Sequence, residues 1–240
     1  MHVLLHKALD QAEAEGRIPR NAAAALKLPR IDREEIAPLT AEEANRLIEA
    51  ARGDRLEALY VLALHTGLRQ GELLALNWED LDLEAGTLQV RRTLTHRGGK
   101  HFLSEPKTKK SRRTVRLTAG AIADLQDYLK RQIEEMDHLG SLYKPIGLVF
   151  ANEIGGIVNP SNLRNRSFAR FLMRAGLSAE TRFHDLRHTC ATLLLSRNVN
   201  LKIVSEMLGH ANIAITLDTY SHVLPDMQEK AARALEEALR

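Results

Sequence analysis

Six residues between positions 69 and 220 have the side chains that breaking a phosphodiester bond would require: Arg69 in "HTGLRQGELL", Lys107 in "SEPKTKKSRRTV", His184 and Arg187 in "RFHDLRHTCATLL", His210 in "MLGHAN" and Tyr220 in "LDTYSHV". A guanidinium fork can bridge two non-bridging oxygens of one phosphate and hold the charge that grows in a pentavalent transition state. Imidazoles can donate to the same oxygens or move a proton. A tyrosine is an adequate nucleophile once its proton is taken, and the phosphotyrosine it forms keeps the bond energy for rejoining. A lysine can protonate a departing 5′ oxygen. Each residue also has an ordinary reading. Arg69 can pair with Glu72 on a helix surface, His184 and Arg187 can be a capping histidine and a surface arginine, and a lone tyrosine more often packs than reacts. Lys107 sits among so many cations that charge alone does not select it.

Other chemistries are disfavoured. No acidic cluster with metal-ligand spacing lies near these positions, which argues against a two-metal nuclease, and no "GxxxxGK[ST]" loop points to ATP. The single cysteine, Cys190, sits in an apolar helical run, where burial would raise its pKa, and alone it can form neither an internal disulfide nor a cysteine-based zinc site.

The elements that must position these groups are mostly helices. Thr40 and Glu43 form a capping box at the head of "LTAEEANRLIEAAR". A second helix, "DRLEALYVLALHTG", ends at Gly67 as a left-handed cap, and "RQGELLALN" follows as a short third. Short β-branched runs in "DLDLEAGTLQVRRTL" and "RRTVRLT" then read as a small antiparallel sheet. Helices return in "AGAIADLQDYLKRQIEEMDHL", "NPSNLRNRSFARFLMRAG", "RFHDLRHTCATLL", "NVNLKIVSEMLGH" and "NIAITLDTYSHV", with a short strand or turn at "GLVFAN". The expected fold is mainly α with a small antiparallel β-sheet, in the α+β class. His184 and Arg187, three apart, are expected on one face of a first helical turn whose dipole assists phosphate binding.

Charge is concentrated rather than spread. Net charge is only +3, yet residues 91–116 hold ten Lys or Arg against one acid, Glu105, while residues 37–90 hold four against ten. So dense a patch suits phosphate, and Arg91, Arg92, Lys109, Lys110, Arg112 and Arg113 are the expected DNA-contacting cations of a basic hairpin. No apolar run approaches the roughly 18 residues that span a bilayer, and the first residues lack a signal peptide's basic start and cleavage site, so the expected location is the cytoplasm.

Taken in order and spacing, "HTGLRQGELLALNWEDLDL", "EPKTKKSRRTVRL", "FHDLRHTCATLLL" and "MLGHANIAITLDTYSHV" resemble the four signature segments of the tyrosine recombinases, the phage-integrase family. The resemblance spans roughly residues 37 to 225. It implies that fold for the catalytic domain, with Arg69 and Arg187 as phosphate clamps, Lys107 as general acid, and His184 and His210 as hydrogen-bonding or proton-moving groups. Tyr220 would be the nucleophile of a 3′-phosphotyrosine intermediate. It implies double-stranded DNA as partner, exchange between two duplexes, no cofactor, and a homotetramer on DNA from a chain monomeric in isolation.

The same resemblance makes residues 1–36 the C-terminal remainder of a helical core-binding domain plus linker, and residues 37–240 the catalytic domain of a shortened integrase. Half a DNA clamp should bind in a salt-sensitive, weakly selective way. The last segment, "PDMQEKAARALEEALR", places Met227, Ala231, Leu235 and Leu239 in an apolar stripe that could dock in cis or on a neighbour. Two other readings stay open: a DNA-binding fragment without catalysis that modulates a full-length integrase, and a type IB topoisomerase. The "LGH" turn and the short step from His210 to Tyr220 favour the recombinase over the topoisomerase.

Overall fold

The structure, a computed structural model, describes residues 2–26, 37–105, 112–221, 235–237 and 239. The chain divides into two compact units, Met1–Glu35 and Ile36–Arg240. The first holds helix α1 (His2–Ala14) and a 3-10 turn (Ala22–Ala25). Asn21 ties them: its side-chain amide donates to Asp10 at 2.6 Å and its backbone N–H to Glu13 at 2.7 Å.

The second unit starts with the expected capping box. Thr40 Oγ1 accepts from the Glu43 amide at 3.2 Å and Glu43 accepts from the Thr40 amide at 2.9 Å, opening α2 (Ala41–Ala51). Next comes α3 (Glu57–Thr66), buried on all faces from Ala58 to Leu64 and hence the centre of the domain. Against it pack α2, the long α5 (Ala119–Leu139) and α8 (Asp185–Ser196). The Tyr60 ring joins Phe168, Phe171 and Phe183 in an aromatic cluster, and its hydroxyl donates to Ser167 at 2.8 Å. Ser167 lies in a π-helical stretch, Leu163–Phe168, between α6 (Pro160–Asn162) and α7 (Ala169–Arg174).

The expected sheet is two sheets. Strands β1 (Leu81–Asp82), β2 (Thr87–Val90) and β5 (Arg113–Arg116) form an antiparallel trio in the order β1-β2-β5, with Leu88 opposite Val115 on the buried face. Strands β3 (Thr93–Arg97) and β4 (Lys100–Ser104) form a separate hairpin that turns through Gly98 and Gly99. The segment "GLVFAN" makes only isolated bridges, Asn77 with Leu148 and Ala151 with Ile157.

After the short α4 (Gln70–Leu73), the sheets and α5, the chain returns in α8, α9 (Leu201–Leu208) and α10 (Ile213–Tyr220). These three build a smaller core of Ala191, Leu195, Val204, Leu208 and Tyr220. No helix among the described residues is long and apolar enough to cross a membrane. Most of the final apolar stripe lies outside the described residues; Leu235 and Leu239 within them are exposed.

Gly67 is where the two cores meet. It caps α3 at φ 62°, in the left-handed region, and a β-carbon there would come within 2.6 Å of Leu208 Cδ2 and 3.4 Å of Cys190 Sγ. An added methyl both strains the backbone and wedges α9 from α3. Gly67→Ala is therefore expected to lower stability by at least roughly 1–3 kcal/mol, the range for a strained backbone position. Urea unfolding measures this, and an unchanged midpoint would show that the α3–α9 junction yields without cost.

Candidate active site

The turn at Gly67 delivers Arg69 as the N-cap of α4. One turn on, Glu72 is 4% exposed and reaches back, accepting from the Arg69 amide at 2.9 Å and from Arg69 Nη1 at 3.0 Å. A second guanidinium closes on the same carboxylate: Arg113, on β5, donates Nη1 to Oε1 at 3.1 Å and Nη2 to Oε2 at 2.9 Å. Its Nε donates to the Met207 carbonyl at 2.6 Å. Burial alone would raise the Glu72 pKa; hydrogen bonds and charge from Arg113, with the Arg69 amide and charge, bring it net below the usual carboxylate value. The Arg69–Glu72 pair foreseen on a helix surface exists, with the carboxylate buried rather than solvated.

Arg187, in the first turn of α8, is 3% exposed. Its Nη1 donates to the Gly67 carbonyl at 2.7 Å, and its Nη2 is buried with no hydrogen-bond partner among the described residues. Burial and then the charge of Arg69 lower its pKa to about 9, which leaves it cationic at neutral pH. His184 and Arg187, three apart at the head of α8, are close enough for the charge of Arg187 to act on the His184 ring. His184 is the N-cap residue, exposed, and the ring against it is His188, one turn on, edge-to-face at 4.9 Å. The α8 dipole does not stand open for phosphate. Asp185, buried in the first turn, already supplies an anion there and accepts from the Arg182 amide at 2.7 Å.

His210 follows Gly209, the left-handed cap of α9. It is half-buried, with Nδ1 2.7 Å from the hydroxyl of the buried Thr216. Burial and then the charges of Arg187, Arg69 and Arg113 push its pKa down to about 4. The His184 pKa is lowered by enclosure and by Arg187 and Arg69. Tyr220 closes α10 and is 1% exposed, its ring in the smaller core and its hydroxyl 2.8 Å from His188 Nδ1. Burial raises its pKa to about 12 against the pull of Arg187.

Arg69, His184, Arg187, His210 and Tyr220 thus converge, since each of these side chains other than Arg69 titrates under the charge of Arg187, Arg69 or both. Lys107, Lys109 and Lys110 lie outside the described residues. The remaining cations expected to meet DNA have carboxylate neighbours. Arg92 binds Glu79 and Asp80, Arg91 stands 3.7 Å from Asp80, and Arg112 pairs with Glu105 at 2.7 Å. Arg113, 6% exposed at its side chain, faces inward; its place in the DNA-contacting set is corrected to a support beneath Arg69 and Glu72.

Three features went unread in the sequence. His188 was visible only as an i,i+4 partner of His184 in "HDLRH". Glu72 was read as a surface partner, not as a shared buried counter-ion. Gln70 donates to the Pro160 carbonyl and accepts from Arg164 at 2.8 Å, which holds an exposed guanidinium on the residue that follows Arg69; no local pattern joins residues so far apart.

The sequence pattern of the phage integrase family matches residues 38–227, which includes every one of these groups. The chain belongs to the phage integrase family. This integrase-family chain is 42% identical over 213 residues to a XerC-like tyrosine recombinase of Caldanaerobacter subterraneus subsp. tengcongensis, covering 84% of the chain and 54% of that relative. It is 28% identical to the ICEBs1 integrase of Bacillus subtilis (strain 168), over 98% of the chain and 64% of that protein. The chain therefore spans between about half and two thirds of the length of these relatives. The integrase of transposon Tn1549, solved in complex with transposon right end DNA, has the same fold: TM-score 0.80 at 25% identity, covering 99% of this chain and 77% of that one.

Two measurements follow for this integrase-family domain. Glu72→Gln leaves Arg113 buried without its counter-charge, which should cost about 3–5 kcal/mol in urea unfolding; a neutral result would mean that Arg69 and Arg113 separate freely. His188 is also held down to about 4, by burial and then by the charge of His184. With the folded values of His188 and His210 below their ordinary 6.5, the unfolded chain binds more protons in between. Their stabilising contribution is whole above about pH 6.5 and is lost as pH falls towards 4. Urea midpoints between these limits should fall with pH, and less so in His210→Gln; equal slopes would remove His210 from the linkage.

Proposed function

We propose that this chain carries out site-specific DNA recombination, cleaving and rejoining strands through a 3′-phosphotyrosine on Tyr220. The observation that carries this reading is the buried Nη2 of Arg187, a guanidinium donor without a partner among the described residues, set among cations and acting electrostatically on the Tyr220 hydroxyl. An unsatisfied buried donor costs about 1–3 kcal/mol, more when charged, and a non-bridging phosphate oxygen is the acceptor that would relieve it.

In this mechanism Arg187 and Arg69 grip the scissile phosphate. Arg187 is fixed by the Gly67 carbonyl, and Arg69 is oriented by Glu72 while its side chain remains 40% exposed towards solvent. Neutral His184 and His210 donate to the equatorial oxygens as their charge grows. Tyr220 Oη attacks phosphorus, the bond to the 5′ oxygen breaks, and Lys107 supplies the proton that the departing oxygen needs, the role the family resemblance implies for it. Attack by a 5′ hydroxyl on the phosphotyrosine, from a second duplex, reverses the sequence and completes exchange. Since Tyr220 is buried in the α8–α10 core, DNA must loosen that packing before attack. Four protomers on two duplexes, and a core-binding role for the Met1–Glu35 unit, belong to the same proposal.

The test is covalent trapping in EDTA on nicked duplexes drawn from DNA flanking the gene. The wild-type chain should give a protease-sensitive adduct on a denaturing gel and Tyr220→Phe none. Arg187→Lys keeps the charge but loses the fork, and its cleavage rate should drop about 10²–10³-fold with duplex binding retained. Binding with no adduct from wild type would favour the non-catalytic fragment. Equal cleavage by Arg187→Lys would remove the clamp assignment.

A further inference from the structure

We propose that His188 is the base that takes the phenolic proton of Tyr220, its Nδ1 accepting the hydroxyl hydrogen as Tyr220 Oη bonds to phosphorus. This rests on the tyrosine-nucleophile reading above and adds the group that activates it. Of the residues assigned from the family pattern, the four described ones other than Tyr220 do not do this job in the geometry seen here. His210 directs Nδ1 to Thr216, the His184 ring packs edge-to-face on His188, and Arg69 and Arg187 are cations.

The geometry is that of a nucleophile and its base. Nδ1 lies 2.8 Å from Oη, the ring centroids are 5.8 Å apart, and the planes are inclined at 54°, so the hydroxyl meets the edge of the imidazole rather than its face. A general base must lie within hydrogen-bond reach of the proton it takes, about 2.6–3.2 Å between heavy atoms. Tyr220 is buried while His188 is half-buried, so the acceptor keeps contact with solvent that the nucleophile lacks.

The groups around the ring explain when it would act. On its own helix and the preceding turn it faces His184, Asp185, Arg187 and Arg182; from α10 comes Tyr220, and across the site His210. Three of these neighbours, Arg187, Arg182 and a protonated His184, disfavour an imidazolium, and Asp185 alone favours one. In the free protein the ring is therefore neutral and can only accept from, or donate to, the phenol. A phosphate gripped by Arg187 adds a negative charge within the same shell and raises the proton affinity of the imidazole. The base is thus armed by the substrate it serves.

The step balances without a further reactant. The Oη–P bond forms, the O–H pair becomes the new bond's electron source, and the proton moves to Nδ1. The P–O5′ bond breaks and its oxygen is protonated by the separate acid. In rejoining, tyrosinate leaves and takes the proton back from His188.

Two measurements decide it. Nitrogen-15 NMR on histidine-labelled chain, with His188 identified by its loss in His188→Asn, should show the Nε2–H tautomer with Nδ1 as acceptor, and Tyr220→Phe should move the Nδ1 resonance. An Nδ1–H tautomer would overturn the proposal whether or not the chain cleaves DNA. In the trapping assay His188→Asn keeps an acceptor near the Nδ1 position but cannot hold a proton. Cleavage should slow about 10²–10⁴-fold at neutral pH with duplex affinity unchanged, and the deficit should narrow as pH rises and hydroxide takes over. A 5′-bridging phosphorothiolate, whose thiolate leaves without a proton, should rescue Lys107→Ala and not His188→Asn. Rescue of His188→Asn would place His188 on the leaving-group side, and cleavage at the wild-type rate would remove it from the reaction. If wild type itself forms no adduct, the recombinase reading fails while the tautomer still reports on His188.

Discussion

One buried carboxylate holds the site together. Glu72 accepts from Arg69 and Arg113, and its charge also acts on Arg187, so three guanidinium groups gather around a single anion. Without it, like charges at such range would repel strongly in a poorly hydrated interior. With it, the cluster still carries an excess of positive charge, which resides on Arg69, partly exposed, and Arg187, whose Nη2 has no partner among the described residues. Three guanidinium groups against one carboxylate leave the cluster a deficit of two negative charges.

Two glycines make that arrangement sterically possible. At Gly67 the missing side chain lets Leu208 and Cys190 close on the end of α3 and leaves the carbonyl free to anchor Arg187. At Gly209, with φ 69°, a β-carbon would lie 2.8 Å from Arg113 Nη1, so the guanidinium can cross beneath the α9 cap only because nothing is there. Both caps were legible from "HTGLR" and "MLGH" as helix stops. What they make room for was not, because the arginines concerned come from segments distant in sequence.

The same division runs through the rest of the domain. The helices, the Thr40 box and the convergence of Arg69, His184, Arg187, His210 and Tyr220 follow from residue type, spacing and family pattern. The single sheet became two because Arg91 and Arg92 interrupt the ladder between β2 and β3, with Arg92 turned to Asp80 and Glu79. Local charge density was the less faithful guide. The cation-rich run 91–116 looked like a free basic surface only because the acids that meet it, Glu72, Glu79 and Asp80, belong to the preceding acid-rich run. Folding brings the two runs together and consumes much of the asymmetry, so affinity for a polyanion rests on fewer cations than the count suggests.

Helix α8 links that excess of positive charge to Tyr220. Successive residues point in different directions from its first turns: Arg187 reaches inward to Gly67, while His188 reaches across to α10 and Tyr220. On the proposed reading, an anion held by Arg187 acts through its charge on the ring one residue away, which holds the tyrosine hydroxyl. Movement is required elsewhere. The Tyr220 ring is packed with Leu195, Val204 and Leu208, and exposing it forfeits apolar contacts that the protein gains back only if another surface takes their place. The aromatic ring is stabilised by the core and its hydroxyl by His188, so under the proposed mechanism Tyr220 is at once activated in its hydrogen bond and restrained in its access. Under the proposed recombinase reading, cleavage confined to an assembled complex would call on both properties, and here they come from the two ends of one side chain.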